Sequence, residues 1–549
     1  MLRIVPLGGL GHIGGNALAI ENDTSLVIVD CGLLFPSEDQ PGVDYVIPDL
    51  TWVRERRDKL RGIILTHAHE DHLGAIPYVW QDLLTPVYGS PFTLAMLAVK
   101  LAEFPECTPT LRPFADREEV RLGDLVVRPL AVTHSIPGAV ALAIDTEVGT
   151  LVHTGDFKLD PAPLDGRVTD EGSLRALGAA GVTLLMSDST NAEKAGHTYG
   201  ERVVADALTQ LIASAPFRVV VTAFSSNLFR LRSIIEASEA AGRRVVLAGR
   251  SVDQNVNLGL ERGLLHARQG TLRAPDDFDA LPRSAVTVIA GGSQGEPQSA
   301  LSRIALGRHS EIALEPGDRV IFSSRRIPGN ERAVAAVVNN LCRLGVEVLD
   351  DRAGHVHASG HAFNDEQRAM VEWCRPRFFV PVHGEYRHLW QHGAIAREAG
   401  VAPERVFVLE DGQTLELARG AAGVEARRGE PVPAGVVYVD GKKVGDVGEV
   451  VLRDRRVLAE TGMVLCVVVL DEAGGLVAGP DIVTRGVLHE EAGQELLARA
   501  ADEVRQALRR LEVHADHATR SEEVRVTLRR LFRRELDRRP LVIPVVMTI

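Results

Sequence analysis

The run His67-Ala68-His69-Glu70-Asp71-His72 follows directly on the apolar stretch Gly62-Ile63-Ile64-Leu65-Thr66, so this chain must end a β-strand in a loop made of metal-ligand side chains. Four potential ligands lie within six residues. A strand opening into such a loop can turn His67 and His69 toward one point and Asp71 and His72 toward a second, which suits two cations rather than one. A plain polar loop of solvent-facing histidines is the alternative, and the rest of the chain weighs against it.

Four further side chains stand where an apolar, strand-like run gives way to a loop. His134 follows 125–133, Asp156 follows 150–155 in the phrase HTGDFK, His383 closes 378–382 in the phrase PVHGE, and His361 lies in HASGHA. Taken singly, each histidine reads as an ordinary core or surface residue. Repeated at strand ends, they read as one constellation. Two divalent cations roughly 3.5–4 Å apart lower the pKa of water and stabilise the charge of in-line displacement at a phosphodiester. Such a pair needs a carboxylate between them, and Asp156 is the candidate.

Through HAHEDH, His134 and Asp156 the chain resembles the metallo-β-lactamase superfamily, and Asp30, closing 25–29, fits that superfamily's early structural aspartate. The nucleic-acid-processing branch, β-CASP, inserts a second domain and adds three motifs, for which Asp188 in LLMSDSTN, His361 and His383 are the matches. Over its whole length, C-terminal tail included, the chain is similar to the bacterial ribonuclease J family. The resemblance implies that His67, His69 and His134 bind one metal and Asp71, His72 and His383 the other, with Asp71 also steering the attacking hydroxide. By the same analogy His361 is a general acid or transition-state donor to the scissile phosphate, and Asp188 orients it. An acid after a strand also serves as a structural cap, so both roles stay open for Asp188. Histidine with carboxylate suits zinc, which is the first expectation; manganese accepts the same mixture and stands beside it.

A chain of 549 residues exceeds what one core organises, so two or three domains are expected. The expected fold class is α/β. A metallo-β-lactamase αββα sandwich over 1–198 and 355–430 is interrupted by an inserted parallel-sheet β-CASP domain over 199–354. A linker over 431–449, punctuated by Pro431, Pro433 and Gly435, leads to a small α+β C-terminal domain over 450–549. In the insert, strand candidates 218–222, 244–248, 285–289 and 319–322 alternate with helix-like runs, the pattern of a parallel sheet with right-handed crossovers. In the tail, strands 464–470 and 541–546 are expected with helices near 490–512 and 521–536.

The loops after the inserted strands are small, hydroxylated or basic. They offer Ser225, Ser226, Asn227, Arg250 and Ser293 to the crevice where open α/β sheets bind ligands, although N-caps and turns favour the same residues. No Walker A motif is present, which leaves nucleotide hydrolysis without support. Ser359-Gly360-His361, with Gly360 free to take unusual dihedrals, can cradle a terminal phosphate as a backbone nest. The resemblance further implies a preference for 5′-monophosphate RNA ends, 5′→3′ digestion with some internal cleavage, a homodimer or higher homo-oligomer supported by the tail, and partners among RNA-decay proteins. The last helix carries Arg525, Arg529, Arg530, Arg533 and Arg534 among Glu522, Glu523 and Glu535, which is either a solvated face or a contact for RNA or a second subunit.

A net charge of −13 disfavours a nucleic-acid partner only globally, since local fields and bound cations attract phosphate. Glycines and His12 interrupt any signal-type apolar core, and no run approaches the roughly 18 apolar residues of a membrane span, so a cytoplasmic enzyme with no membrane partner is expected. Cys31, Cys107, Cys342, Cys374 and Cys466 are scattered without CxxC spacing and read as buried thiols in a reducing cell. Two other functions compete. A DNA-processing nuclease of the same branch would, by the resemblance, carry valine at the position of His383. A small-molecule hydrolase of lactam, lactone or thioester type would share HAHEDH, His134 and Asp156 but has no evident use for the insert or for HASGHA.

Overall fold

Alternation along the strands sets the layers. In Val140–Thr146, Leu142 and Ile144 face one core while Ala141 and Ala143 face another, and Phe378–Val382 divides in the same way, with Val380 and Val382 on one side and Phe379 on the other. A strand buried on both faces must lie inside a layered stack. The computed structural model describes residues 1–549 except 38, 328, 422, 442, 489–492 and 513. It divides into two units, Met1–Leu34 with Ile47–Val437, and Phe35–Val46 with Tyr438–Ile549.

In the larger unit an eight-stranded sheet containing Leu2–Gly8, Ala17–Glu21, Leu26–Val29 and Leu60–Ile64 faces a six-stranded sheet containing Leu125–Ala131, Val140–Thr146, Gly149–His153, Val182–Asp188 and Phe378–Val382. Ile4, Ile20, Val29 and Ile64 of the first meet Val127, Leu142, Leu184 and Val380 of the second in one buried core. A second core lies behind the six-stranded sheet, where Val152, Leu185 and Phe379 pack on Met370, Val371 and Cys374 of the helix Asn364–Cys374 and Ala396 of the helix Tyr386–Glu398. This is the expected αββα arrangement. Phe378–Val382 pairs in parallel with Val182–Asp188, so residues separated by the whole insert complete one sheet.

The insert builds its own parallel sheet in the order Leu272–Arg273, Arg244–Ala248, Val286–Ala290, Val219–Thr222, Arg319–Phe322, Glu347–Leu349. The four strands expected from sequence are its centre. The two edge strands are short and carry Glu347 and Arg273, which hide them from a search for apolar runs.

In the smaller unit, Met463–Leu470 pairs with Leu476–Arg485 and Leu541–Thr548, and Gln494–Arg509 and His517–Leu536 cover one face. The expected start of the first of these helices, Glu490, lies outside the described residues. The helix Glu449–Thr461 and the strand Leu476–Arg485 are not evident in the sequence; the helix has one buried apolar side chain, Leu452, and the apolar run of the strand is interrupted by Gly479-Pro480-Asp481. The expected linker 431–449 carries the paired strands Val436–Asp440 and Lys443–Val444.

Candidate metal centre

The ligand-type residues stand at strand ends because the six-stranded sheet and its partner both deliver their loops to one edge. His67 lies three residues beyond Leu60–Ile64, His134 three beyond Leu125–Ala131, Asp156 three beyond Gly149–His153, and His383 immediately after Phe378–Val382. Asp188 is the last residue of its strand. Asp30 and His383 take left-handed backbone angles, φ 61° and 55°, which non-glycine residues adopt only where surrounding contacts enforce it. Those contacts are visible for Asp30. Its carboxylate accepts the Thr66 N–H and the Thr66 hydroxyl, both at 2.8 Å, and so pins the start of the HAHEDH loop.

Among the described residues, three groups of ligand atoms cluster: His67, His69, His134 with Asp156; Asp71, His72 with His383; and Asp156, Asp188, His361 with His383. Asp156 Oδ2 lies 3.2 Å from His72 Nε2, 3.4 Å from His383 Nε2, 3.6 Å from His67 Nε2 and 3.8 Å from His134 Nε2. One buried carboxylate oxygen therefore reaches both sets of rings, as a bridging ligand must.

Whether these residues fit metal ions is decided by their protons. His134 Nδ1–H donates to the Gly360 carbonyl at 2.7 Å, and His383 Nδ1–H to the Asn16 amide oxygen at 2.8 Å. His72 Nδ1–H donates to Asp30 Oδ2 at 2.8 Å. His67 Nδ1 lies 3.0 Å from Thr66 Oγ1, whose own proton is committed to Asp30, so the ring donates there too. With Nδ1 carrying the proton, His67, His134 and His383 turn an unprotonated Nε2 inward, the arrangement that hydrogen-bonded partners impose on metal-binding histidines, while His72 Nε2 lies 3.0 Å from Asn16 Nδ2 and 3.2 Å from Asp156 Oδ2. His69 Nδ1 stands 3.0 Å from His67 Nε2 and 3.1 Å from His134 Nε2. A neutral His69 donates Nδ1–H to these two lone pairs, and a cation can take that proton's place: tetrahedral zinc–nitrogen bonds of about 2.0–2.1 Å space their nitrogens only slightly wider, at roughly 3.3 Å. His383 Nε2 is buried without a hydrogen-bond partner. The donor set fits two divalent cations.

Charge follows the same plan. Burial drives the His67 and His134 pKa values well below the ordinary range and His69 to about 4, which keeps these rings neutral and ready to ligate. At His72 burial is outweighed by Asp156, Asp71 and Asp30, which raise the pKa well above its usual value, so metal binding there releases a proton. The surrounding rings, His383 and His72 first, hold the Asp156 carboxyl well below the usual range despite its burial.

His361 differs from the others. Its Nδ1 is 2.8 Å from Asp188 Oδ2, and although burial lowers its pKa, Asp188 and Asp156 raise it further, to about 9. It is also more open than His67, His72, His134 and His383, with 22% of its side chain exposed. The loop carrying it is tied down on every side: Asn191 Nδ2 donates to Ser359 Oγ and to the His361 carbonyl, and Thr198 donates to that carbonyl at 3.1 Å. Gly360 does not take the unusual dihedrals expected of a nest. Glycine is required there because a Cβ would stand 2.6 Å from His134 Cε1, a close approach rather than a turn.

The phosphate-binding candidates of the insert are placed less uniformly. Asn227 caps the helix Leu228–Ala240 by accepting the Arg230 N–H, and Ser293 is buried against Gln294. Ser225 and Ser226 are half-buried and Arg250 is exposed, each at a strand end of the insert. Ser359 accepts the His361 N–H. Sequence reasoning missed Asn16, whose side chain donates to the Asp71 carbonyl and accepts from His383, because a lone asparagine in the glycine-rich turn GHIGGN carries no ligand signal.

Comparison with known proteins agrees with this geometry. Residues 10–213 match the metallo-beta-lactamase superfamily, 216–341 the ribonuclease J beta-CASP domain, 352–409 the Zn-dependent metallo-hydrolase RNA specificity domain and 450–549 the ribonuclease J C-terminal domain. Ribonuclease J of Mycolicibacterium smegmatis is 39% identical, with 100% of this chain and 97% of that protein covered. Ribonuclease J of Thermus thermophilus is 38% identical over 100% and 95%, and ribonuclease J2 of Bacillus subtilis 34% identical over 100% and 99%. A solved structure of a protein of unknown function from Enterococcus faecalis V583 shares the fold with a TM-score of 0.53 at 17% identity, over 75% of this chain and 99% of that one. With relatives at this identity along its whole length, the chain belongs to the ribonuclease J family.

Proposed function

We infer that this chain is a metal-dependent ribonuclease that hydrolyses RNA phosphodiesters, working from 5′-monophosphate ends in the 5′→3′ direction with some internal cleavage. The observation that carries the reading is the convergence of ring nitrogens on Asp156 Oδ2, with His361, held by Asp188, beside them. Its relatives bear the name ribonuclease J, and the matched RNA specificity segment contains Ser359, His361 and His383.

His67, His69 and His134 would hold one cation and Asp71, His72 and His383 the other, with Asp156 shared. Bound there, two divalent cations supply acidified water and neutralise charge on the phosphate. The chain's own residues do the rest. Asp71, 31% exposed, orients the water from the open side of the site. His361, its Nδ1 engaged by Asp188, presents Nε2–H to the scissile phosphate, and its raised pKa keeps it protonated at neutral pH. Zinc suits the histidine-rich first position; manganese is the physiological alternative. A histidine at 383 favours RNA over DNA as substrate, and a small-molecule hydrolase has no use for the His361–Asp188 pair.

The reading extends to compartment and assembly. Among the described residues no helix is long and apolar enough to cross a membrane, and all five cysteines are unpaired, which fits the cytoplasm. Self-association through the smaller unit is supported by the sheet face opposite its helices, where Leu465, Val467, Ile543 and Met547 lie, the last two exposed. Incubating metal-loaded protein with end-labelled 5′-monophosphate, 5′-triphosphate and 5′-hydroxyl RNA, and with matching DNA, tests the function. Mononucleotides released from the 5′ end of monophosphorylated RNA support it. Cleavage of DNA alone, or of neither, overturns it.

A further inference from the structure

Outside the metal centre four buried charged side chains, Arg230, Glu201, Lys158 and Asp160, form one connected string. Arg230, in the helix Leu228–Ala240 of the insert, is fully buried, yet all of its donor nitrogens are used. Nε and Nη2 meet both carboxylate oxygens of Glu201 at 3.1–3.3 Å. Nη1 donates to the Ser323 carbonyl and hydroxyl oxygens at 2.7 Å and to the Val356 carbonyl at 3.0 Å. Ser323 Oγ donates to the same Val356 carbonyl at 2.6 Å. Beyond Glu201 the string continues to Lys158 Nζ at 3.6 Å, two residues past Asp156, and from there to Asp160 at 3.8 Å.

The two cations and two anions cancel, so the string carries no net charge into the interior. Buried ion pairs of this kind are poor sources of stability, because apolar side chains of similar volume usually serve as well; what they supply is a fixed geometry, since moving one partner leaves a buried charge unpaired. The geometry fixed here is specific. Ser323 follows the strand Arg319–Phe322 of the insert, Glu201 opens the helix Glu201–Ala213, and Val356 leads into Ser359-Gly360-His361. Arg230 thus grips the insert's strand-end loop and the base of the His361 loop with one guanidinium nitrogen.

We propose that Arg230 is a positioning residue through which the insert sets the place of the His361 loop over the metal centre. The insert is then more than a carrier of phosphate-binding candidates: its strand-end loops and the donor histidine are held as one body. Lysine keeps the charge but cannot reproduce the planar fork that reaches Glu201, Ser323 and Val356 together. This rests on the ribonuclease reading above for its catalytic consequence, and on geometry alone for the tether.

The test uses the full-length, manganese-loaded chain with Arg230→Lys and, as the milder cut of the same tether, Ser323→Ala. Metal content, affinity for 5′-monophosphorylated RNA, kcat and KM are measured, together with deuterium exchange of the backbone amides over 356–363. The expected result for Arg230→Lys is unchanged metal, RNA affinity and KM, a kcat lowered roughly 10–10²-fold as for a catalytic group displaced by about an ångström, and faster exchange over 356–363. Ser323→Ala moves the same quantities the same way by less, and it decides the matter if Arg230→Lys does not fold. Wild-type kcat and exchange in a folded variant overturn the proposal, as does a loss of kcat matched by loss of metal or RNA affinity. If the wild-type chain itself fails to cleave RNA, the functional reading falls, while the exchange result still judges the tether.

Discussion

His361 Nδ1 and Asp188 Oδ2 stand 2.8 Å apart, joining residues 173 positions distant and giving one ring in the cluster a carboxylate of its own. His72 Nδ1 also has a carboxylate, Asp30 at 2.8 Å, but its side chain is 2% exposed against 22% for His361, so of these two rings it is His361 that a substrate can reach. Asp188→Asn keeps the size of the side chain but removes the charge that holds the ring oriented and protonated. Metal content and RNA affinity should stay at wild-type levels while kcat falls by about 10²-fold, the lower range for a general acid's contribution. Elemental analysis beside single-turnover cleavage checks this; metal lost together with activity would make Asp188 a ligand instead.

Asp156 lies between the two proposed cations, and its loss leaves them to repel each other. Asp156→Ala should therefore cost both metals, read as a sharp fall in bound metal per chain. Full occupancy with normal cleavage would remove Asp156 from the bridging role.

Asn16 accepts the His383 Nδ1–H, donates to the Asp71 carbonyl and stands 3.0 Å from His72 Nε2, so one amide touches all three residues assigned to the second cation alone. Loss of such a supporting partner typically weakens metal binding about 10–100-fold. Asn16→Ala should show that loss at one of two sites in a competitive chelator titration, with activity recovered by added metal. Unchanged affinity would mean that His383 is held by its backbone alone.

Burial raises the Asp411 pKa to about 7, above its usual carboxylate value, with the Leu10 N–H donating to it at 3.1 Å. A carboxyl whose folded pKa is raised favours the folded state fully below its unfolded pKa, near 4, and loses that contribution as pH climbs through 7. Wild-type Tm should fall between pH 5 and pH 8. Asp411→Asn, which cannot ionise, should show a shallower fall measured by thermal unfolding at both values. Parallel profiles for the two proteins would show that Asp411 does not titrate in this range.

The clustering of the ligand-type residues was legible in the sequence because they are chemically distinctive and most stand at the ends of apolar runs, a pattern that survives the insertion between His134 and His383. The central strands of the insert, Arg244–Ala248 and Arg319–Phe322, were legible for the same reason: each is a short apolar run buried in a parallel sheet. What escaped has its cause in three dimensions. Asn16 acts through partners far along the chain, and Arg230 looks in sequence like any helix arginine, though it is buried among distant backbone carbonyls. Gly360 was read as a flexible turn when its lack of a side chain is what matters, since only the fold places His134 against it.

The central claim, that seven residues hold metal while His361 serves the phosphate, is tested most directly by counting metal ions in His361→Ala and His383→Ala prepared side by side. The account predicts two ions per chain in His361→Ala, with RNA still bound and cleavage lowered about 10²–10⁴-fold, and a clear deficit of metal in His383→Ala that added metal partly restores. Metal lost from His361→Ala and kept by His383→Ala would contradict it, and the roles of the two histidines would have to be exchanged.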